Sequence, residues 1–176
     1  MPEGVPKKPS KREEEDIIDE ILDLLLLAYS FGCEDANEML GTEIAPTYDE
    51  MRDSVYRKVA GKDFTERLRE YIPECRIEDI MRVADTDMTR IYNEAVTNTG
   101  NEAVDSGKVD GNRLRKTWNT MLDDRVRDTH AYLEGTTVPY NAEFYTFDGD
   151  HARYPGGFEY AENNCGCRCH LTYTLI

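Results

Sequence analysis

The stretch that decides the fold runs from Trp118 to Cys169. It reads WNTMLDDRVRDTHAYLEG (118–135), TTVPYNAEFYTFDGD (136–150) and, from residue 153, RYPGGFEYAENNCGCRC. All three histidines lie in it or directly after it, together with three of the five cysteines and the only tryptophan. Because these residue types bind metals and perform chemistry, we expect the functional site here. The acidic segment before it is then expected to serve as scaffold or docking surface.

Net charge divides the chain into two parts. The 176 residues carry a formal charge of −15, and 39% of them are hydrophobic, which is enough for one modest domain. From Arg113 to Ile176 there are 7 basic and 9 acidic residues, a balance of −2, so Met1–Asn112 carries −13. Such a charge repels nucleic acid and anionic membranes, and it is better suited to a basic protein partner.

The N-terminal residues predict neither a signal peptide nor a membrane anchor. Residues 1–10 are rich in proline and polar residues, so we expect a disordered tail. The longest apolar run, Leu24–Tyr29, is too short to span a bilayer. We therefore expect synthesis in the cytoplasm, where the cysteines of CGCRC stay reduced rather than form disulfides.

Helical periodicity dominates residues 11–112, which we assign to a helical region. A helix is predicted from Lys11 to a stop at Gly32, and its apolar stripe over Ile17–Tyr29 is wide enough to suggest docking or self-association. The next predicted helices are Glu34–Leu40, Tyr48–Ala60 with Thr47 and Glu50 as a capping box, Asp63–Tyr71, and the long helix Arg76–Ala95. Thr97–Asn112 is predicted to be a frayed helix end or a loop.

Residues 113–176 predict a small C-terminal lobe. Arg113–Leu133 is predicted to be helical, with Leu114 and Trp118 on its apolar side. Beyond Gly135 the pattern indicates short strands, at Thr136–Tyr140, Glu143–Phe147 and Arg168–Ile176. The fold class is therefore α+β and mostly α: N-terminal helices and a long central helix, followed by a small lobe with short antiparallel strands.

The helix predicted for Arg113–Leu133 would place Asp123, Arg127 and His130 on one side, at spacings of four and three residues. A carboxylate beside an arginine beside a histidine could order a loop or fix the tautomer of the imidazole. A solvated charged face explains the same spacing.

Cys165, Cys167 and Cys169 point to one face if their segment is extended. Two of them could then bind one ion, with His130, His151 or His170 completing a tetrahedral site, and thiolate with imidazole ligands suits Zn²⁺. However, Leu171, Tyr173 and Leu175 share the parity of these cysteines. The cysteines could instead continue the core face of the last strand, or serve a redox role.

Support for an enzyme is thin. The sequence has no G-x-S-x-G, no phosphate-binding loop and no H-E-x-x-H. Cys165 with His130 could form a nucleophilic pair, and Arg127, His130 and Tyr145 could serve a nuclease or an ADP-ribosyl transferase. Nothing local marks these residues as activated, so we expect a protein that is not an enzyme.

The motifs occur in an order that resembles the C-terminal domain of the phage Mu F-like family, the SPP1-type minor head or head morphogenesis proteins. The resemblance covers residues 77–176, and the long helix contributes Ala84-Asp85-Thr86-Asp87, Arg90 and Asn93. The lobe contributes residues in the family order, which are Trp118, Asp123, Arg125, Val126, Arg127, His130, Gly135, Val138, Pro139, Pro155, Gly156, Cys167, Arg168 and Cys169. Two positions depart from the family pattern. Asp85 replaces an arginine, and Gly166 replaces the asparagine before C-R-C. Either Asn164-Cys165-Gly166-Cys167 fills that place or one cysteine is extra, so the resemblance leaves open which two cysteines match the family pair.

The resemblance implies a structural role in the virion. Proteins of this family are present in few copies inside the capsid, associate with the portal, and assist head assembly or the packaging and ejection of DNA. It leaves contact with DNA undecided. We further predict that His130, Cys167 and Cys169, with Cys165 as a further candidate ligand, bind zinc and thereby staple the small lobe. Such a staple is expected because a lobe of about 60 residues has little core. Besides an enzyme, the alternative to a role in the virion is a zinc-stapled protein-interaction module without any phage function.

Overall fold

The computed structural model of the protein describes residues 7–176. Residues 1–6 of the predicted disordered tail lie outside the described part, and Lys7–Ser10 have no regular structure. The fold is α+β and mostly α, as predicted. Its helices are α1 (Lys11–Leu40), α2 (Tyr48–Val55), α3 (Phe64–Leu68), α4 (Ile77–Asp105), α5 (Asp128–Ala131) and α6 (Ala161–Asn164), with a 3₁₀ turn at Ile72–Glu74. Its strands are β1 (Leu114–Asn119), β2 (Thr137–Pro139), β3 (Phe144–Tyr145), β4 (His151–Ala152) and β5 (His170–Leu175).

Helix α1 is one continuous helix, so the predicted stop at Gly32 is wrong. It begins at a capping box between Ser10 and Glu13 and ends only at Gly41, whose φ of 66° is left-handed. Gly32 serves packing instead, since a Cβ there would lie 2.3 Å from the carbonyl oxygen of Tyr92. The predicted separate helix Glu34–Leu40 is the C-terminal part of α1.

The capping box of α2 is confirmed, because Thr47 and Glu50 bond each other's backbone N–H groups. Helix α2 ends at Val55, five residues before the predicted end. Helix α3 begins at Phe64, one residue after the predicted start, because Asp63 is its N-cap, and it ends at Leu68, three residues before the predicted end. Pro73 lies in the 3₁₀ turn that leads into α4.

Helix α4 extends ten residues beyond its predicted end at Ala95, so most of Thr97–Asn112, predicted to be a frayed helix end or a loop, is helical. Its C-terminal part is buried against the lobe, which compensates for the poor helix formers there. Thr97 donates its hydroxyl proton to the carbonyl of Asn93 at 2.9 Å, and Gly100 makes room for the ring of Tyr173. Helices α1 and α4 run in the same direction, with Gly32 against Tyr92 and Ala95.

The helix predicted for Arg113–Leu133 is wrong: strand β1 occupies the first part of this segment, and a loop and the short helix α5 follow it. The spacing of four residues between Leu114 and Trp118 fits a helix, but it equally fits alternate residues of a strand. Leu114, Lys116 and Trp118 are buried while their neighbours are half-exposed. Strand β1 is central in an antiparallel sheet of order β2-β1-β5, with Trp118 opposite Leu171. Only Asp128–Ala131 of the predicted segment forms a regular helix.

The remaining strands lie within the predicted segments, except β4, which the sequence did not reveal. Strands β3 and β4 form a two-residue hairpin ladder, with Phe144 opposite Ala152. No helix in the described part of the chain combines the length and the apolar character that crossing a membrane requires.

Two hydrophobic cores share α1 and α4. The first fills the space between α1, α2, α3 and α4 and includes Leu25, Phe64 and Ile91. The second joins the C-terminal halves of α1 and α4 to the lobe, and includes Ala36, Val96 and Trp118. The lobe is therefore packed on the two long helices.

Candidate metal centre

The structure brings His130, Cys167 and Cys169 together in the second core. His130 lies on α5, and the two cysteines lie in the segment directly before β5, with all three side chains at least 96% buried. The Nδ1 atom of His130 is 3.6 Å from the Sγ atom of Cys167 and 3.5 Å from that of Cys169. Cys165 is exposed at the end of α6 and does not join them. His151 and His170 lie elsewhere in the lobe.

These positions fit a tetrahedral metal ion. In a tetrahedral site with metal–sulfur bonds near 2.3 Å and metal–nitrogen bonds near 2.0 Å, the sulfur and nitrogen ligand atoms lie about 3.5 Å apart. The three ligand atoms lie within 4.8 Å of one another, and no other group of three potential ligands occurs in residues 7–176. A cavity of about 10 Å³ beside them is lined by Arg125 and Arg127, which leaves space for one water-sized fourth ligand.

The two thiols have opposite acidities. The hydrogen bond from Cys169, with a contribution from His130, lowers the pKa of Cys167, and the same contact with Cys167 raises the pKa of Cys169 together with burial. The pair therefore shares a proton, and Cys167 is the sulfur that becomes a thiolate first. A thiolate is the form that binds a metal, so binding an ion would release the proton that the pair shares.

Aromatic rings fix the imidazole of His130. Phe158 stacks on it with ring centroids 5.5 Å apart, and Trp118 meets it edge-on at 5.4 Å. Trp118 in turn contacts Phe144 at 5.2 Å. The Nε2 atom of His130 is buried and has no hydrogen-bond partner among the described residues. The imidazole is thus held by ring packing, and Nδ1 is the nitrogen aimed at the sulfurs.

Asn93 of α4 holds the segment that carries Cys169, a role that the sequence did not reveal. Its Nδ2 atom donates to the carbonyl of Cys169 at 3.0 Å, and its Oδ1 atom accepts from the N–H of Leu171 at 3.0 Å. Asn93 is fully buried. A helix residue thereby takes the place of a neighbouring strand at the start of β5. The signal available from sequence was the place of Asn93 after Arg90 in the motif order of the long helix.

Asp123, Arg127 and His130 do not share a helical face, so that prediction is wrong. Asp123 lies in a loop and makes a bidentate ion pair with Arg168, at 2.7 and 2.8 Å. Arg127 is the N-cap residue of α5 and donates to the carbonyl of Cys165. Asp123 and Arg127 thus contact residues on either side of Cys167 in the sequence. Of the three residues, only His130 faces the two sulfur atoms.

The other motif residues position the lobe. Gly135 has a left-handed φ of 71°, and its N–H donates to the carbonyl of Trp118. Pro155 and Gly156 are buried against α4. At Gly156, whose φ is 88°, a Cβ would lie 2.8 Å from the Cα atom of Arg90, so only glycine permits this contact. The loop with Gly166 is tied to α4 by the hydroxyl of Thr86, at 3.1 Å.

Arg90 belongs to a buried ion-pair network. Arg90 donates to Glu94 at 3.0 Å and lies 3.7 Å from Asp87, and both carboxylates are buried. Arg67 and Arg57 extend the network, by contacts to Asp87 and Glu94 respectively. The network links α2, α3 and α4 at the place where Gly156 rests.

Comparison with known proteins shows which family model and which relatives this chain is similar to. The family model described as "Phage Mu protein F like protein" matches residues 47–172. The minor head protein GP7 of Bacillus phage SPP1 is 32% identical over 62 residues, which cover 35% of this chain and 20% of that protein. The NAD(+)–arginine ADP-ribosyltransferase EFV of Enterococcus faecalis is 27% identical over 141 residues, 76% of this chain and 28% of that protein.

The chain therefore spans less than a third of the length of these two relatives. No solved structure matches the chain.

Proposed function

The chain belongs to the phage Mu protein F like family, and from this premise we propose that it is a minor capsid, or head morphogenesis, protein that acts by binding. It would contact the portal or the capsid interior and assist head assembly or the packaging and ejection of DNA. The observation that carries the proposal is the family match over residues 47–172, which includes both α4 and the lobe. The named relative in a phage head supports the same role. Its place is then the virion, after synthesis in the host cytoplasm.

A metal staple in the lobe would serve this role. We expect His130, Cys167 and Cys169 to hold Zn²⁺, because thiolates and imidazole suit zinc and the spacing of the ligand atoms fits it. A bound ion would join α5 to the start of β5. Three protein ligands with a water-sized fourth position also occur in catalytic sites.

Mass spectrometry of purified heads tests the main proposal. Particles from the phage or induced prophage that encodes this chain should contain it at a few copies per head. Its absence from both procapsids and mature heads would refute the proposal.

Zinc is tested on the purified chain by elemental analysis. We expect about one zinc per chain, lost in the double variant C167S/C169S and kept in C165S, because Cys165 is exposed and outside the site. Less than about 0.1 zinc per chain after purification without chelators would rule out the staple.

An enzyme remains the second candidate, and the match to an arginine ADP-ribosyltransferase is the observation that favours it. Only 28% of that protein is matched. Incubation with NAD⁺ and an arginine-containing acceptor would show ADP-ribose transfer under this hypothesis, and loss of transfer in His130→Ala with retained helicity would assign it to the lobe. Under the staple hypothesis, no transfer occurs and His130→Ala lowers the melting temperature.

A further inference from the structure

An apolar stripe lies on the outer surface of α1. Leu24, Leu27 and Phe31 follow one another at spacings of three and four residues, so they lie on one face of the helix. Between 46% and 55% of each side chain is exposed, whereas Leu25 on the opposite face is fully buried. Three large apolar side chains in a row on a charged helix are unusual for a surface that meets only water. We call these three residues the α1 stripe.

A groove begins where the α1 stripe ends. It has a volume of about 330 Å³ and is lined by Phe31 of α1, by Met88 and Tyr92 of α4, and by Arg168 and His170 at the start of β5. Its lining is mainly apolar, and methionine adapts its shape to different ligands. Cys169 and Asn93 also line this groove, so a side chain bound in it would touch the segment that carries the candidate metal ligands.

Carboxylates border the α1 stripe. Glu20 lies four residues before Leu24, Asp23 four residues before Leu27, and Glu34 three residues after Phe31, and all three acidic side chains are exposed. Among the described residues, none of these three makes an ion pair. From Glu13 to Leu40 the helix contains ten acidic residues and no lysine or arginine. The stripe therefore has a negative border that nothing in the described structure neutralises.

We propose that the α1 stripe and its groove bind an amphipathic helix of a partner protein whose apolar side chains are flanked by lysine or arginine. The apolar face of such a helix would cover the α1 stripe, one of its side chains would enter the groove, and its basic residues would meet Glu20, Asp23 and Glu34. This deepens the proposed function and rests on it, because it names the surface through which a binding protein of the head would contact its partner.

Charge excludes two other occupants of the α1 stripe. A second copy of the chain would bring two sets of ten carboxylates together, and like charges at an interface oppose association. Anionic lipid and nucleic acid are repelled for the same reason. A basic helix is the occupant for which both the apolar and the charged parts of this surface are complementary.

Two synthetic 20-residue helical peptides test the proposal. Both carry leucine at helical spacing; one has lysines on the flanks and the other has glutamates. We expect the lysine peptide to bind the full chain, measured by fluorescence anisotropy, with an affinity that weakens at least tenfold in L27Q/F31Q and falls as salt is raised. The control M121Q/L122Q changes two exposed apolar residues of the lobe and should leave the affinity unchanged.

Equal binding of both peptides, or full binding by L27Q/F31Q with unchanged helicity, would overturn the proposal. The proposal would also be overturned by a homodimer that sedimentation equilibrium detects in wild type and not in L27Q/F31Q, because a second copy would then be the occupant. Head incorporation separates this proposal from the proposed function. If L27Q/F31Q enters heads at the wild-type copy number, the surface is wrong and the function stands. If wild type is absent from heads while the lysine peptide binds specifically, the function is wrong and the surface stands.

Discussion

The helical region, Lys11–Asp105, and the lobe, Leu114–Leu175, are stabilised by different interactions. Helices α1 and α4 satisfy their own backbone groups internally and pack through a long series of aliphatic side chains such as Leu25, Ile91 and Ala95. Removal of one such contact leaves many others. The lobe has two strands of only two residues, β3 and β4. Its backbone therefore depends on a small number of polar side chains, each of which satisfies several groups at once.

Asp150 illustrates this dependence in the lobe. It is buried and accepts hydrogen bonds from the backbone N–H groups of His151, Glu159 and Tyr160 and from the amide of Asn163. Burial alone would raise the pKa of Asp150, but the amide of Asn163 and the three N–H groups lower it below its ordinary value. The comparison teaches that stability is distributed in the helical region and concentrated at a few polar residues in the lobe.

Loss of the metal ligands should have the largest effect and should be confined to the lobe. We expect C167S/C169S to remove amide protection from β1 and β5 in hydrogen exchange, while α1 keeps its protection up to residue 32. Structural zinc contributes on the order of 10 kcal/mol in small domains, more than the core of such a lobe supplies. Hydrogen exchange with mass spectrometry resolves the two regions.

The single variant C165S is the matched control for loss of the ligands, and its exchange pattern should equal that of wild type. Equal loss of protection in α1 and β5 would show that the two regions unfold as one unit. An unchanged pattern in C167S/C169S would show that the cysteines act only as small core residues.

The buried ion network should give the next largest effect. It is an exception within the helical region, because here stability is concentrated at a few polar residues. Arg90→Ala leaves Glu94 and Asp87 without their central cation, and breaking a buried ion pair costs about 3–5 kcal/mol. The atoms of Arg90 nearest Gly156 are its backbone N, Cα and Cβ, which alanine keeps, so protection should fall mainly in the helical region. Urea unfolding measures the loss of free energy. Arg82→Ala is the control on the same helix, because its pair with Asp79 is half-exposed and should contribute less than about 1 kcal/mol.

Asn93→Ala should have a smaller effect that is again confined to the lobe. The carbonyl of Cys169 and the N–H of Leu171 lose their shared partner, and unsatisfied buried groups cost about 1–3 kcal/mol each. Because the segment with Cys169 then loosens, we also expect zinc to bind more weakly, by about tenfold or more. Asn98→Ala removes the hydrogen bond to Tyr29 within the helical region and is the control: stability falls slightly and zinc affinity does not.

The sequence predicted the helical region better than the lobe, for a physical reason. Periodicity and capping are local signals, so the start of α1, most of α4 and the capping box of α2 could be predicted. Gly32 was misinterpreted because a glycine that ends a helix and one that admits a neighbouring helix look alike in sequence. Only the contact with Tyr92, 60 residues away, distinguishes them.

In the lobe, the residue types indicated where the candidate site lies, but the local spacing of apolar residues predicted the wrong secondary structure. His130, Cys167 and Cys169, with Cys165 as a further candidate, were predicted to share one metal site because such residues are rare elsewhere in the chain and because of the family resemblance. Strand β1 was missed because the spacing of Leu114 and Trp118 fits both periods, and its partners lie about 20 and 55 residues away. The role of Asn93 could not be predicted, since it depends on a strand 78 residues later.

The smallest expected effect concerns Lys116, a buried cation at the centre of the lobe sheet. Its Nζ atom donates to the carbonyl of Arg153 at 2.7 Å above the ring of Phe144, and burial, helped by the charge of Arg153, lowers its pKa from 10.5 to about 7. The unfolded chain therefore binds this proton more strongly, and stability should rise as pH increases from 7 to 9, by roughly 1 kcal/mol per pH unit. Lys116→Met should remove this slope in urea unfolding, while Lys108→Met, exposed at the end of α4, should keep it. A slope that survives in Lys116→Met would mean that other groups of the lobe, including the cysteine pair, set its dependence on pH.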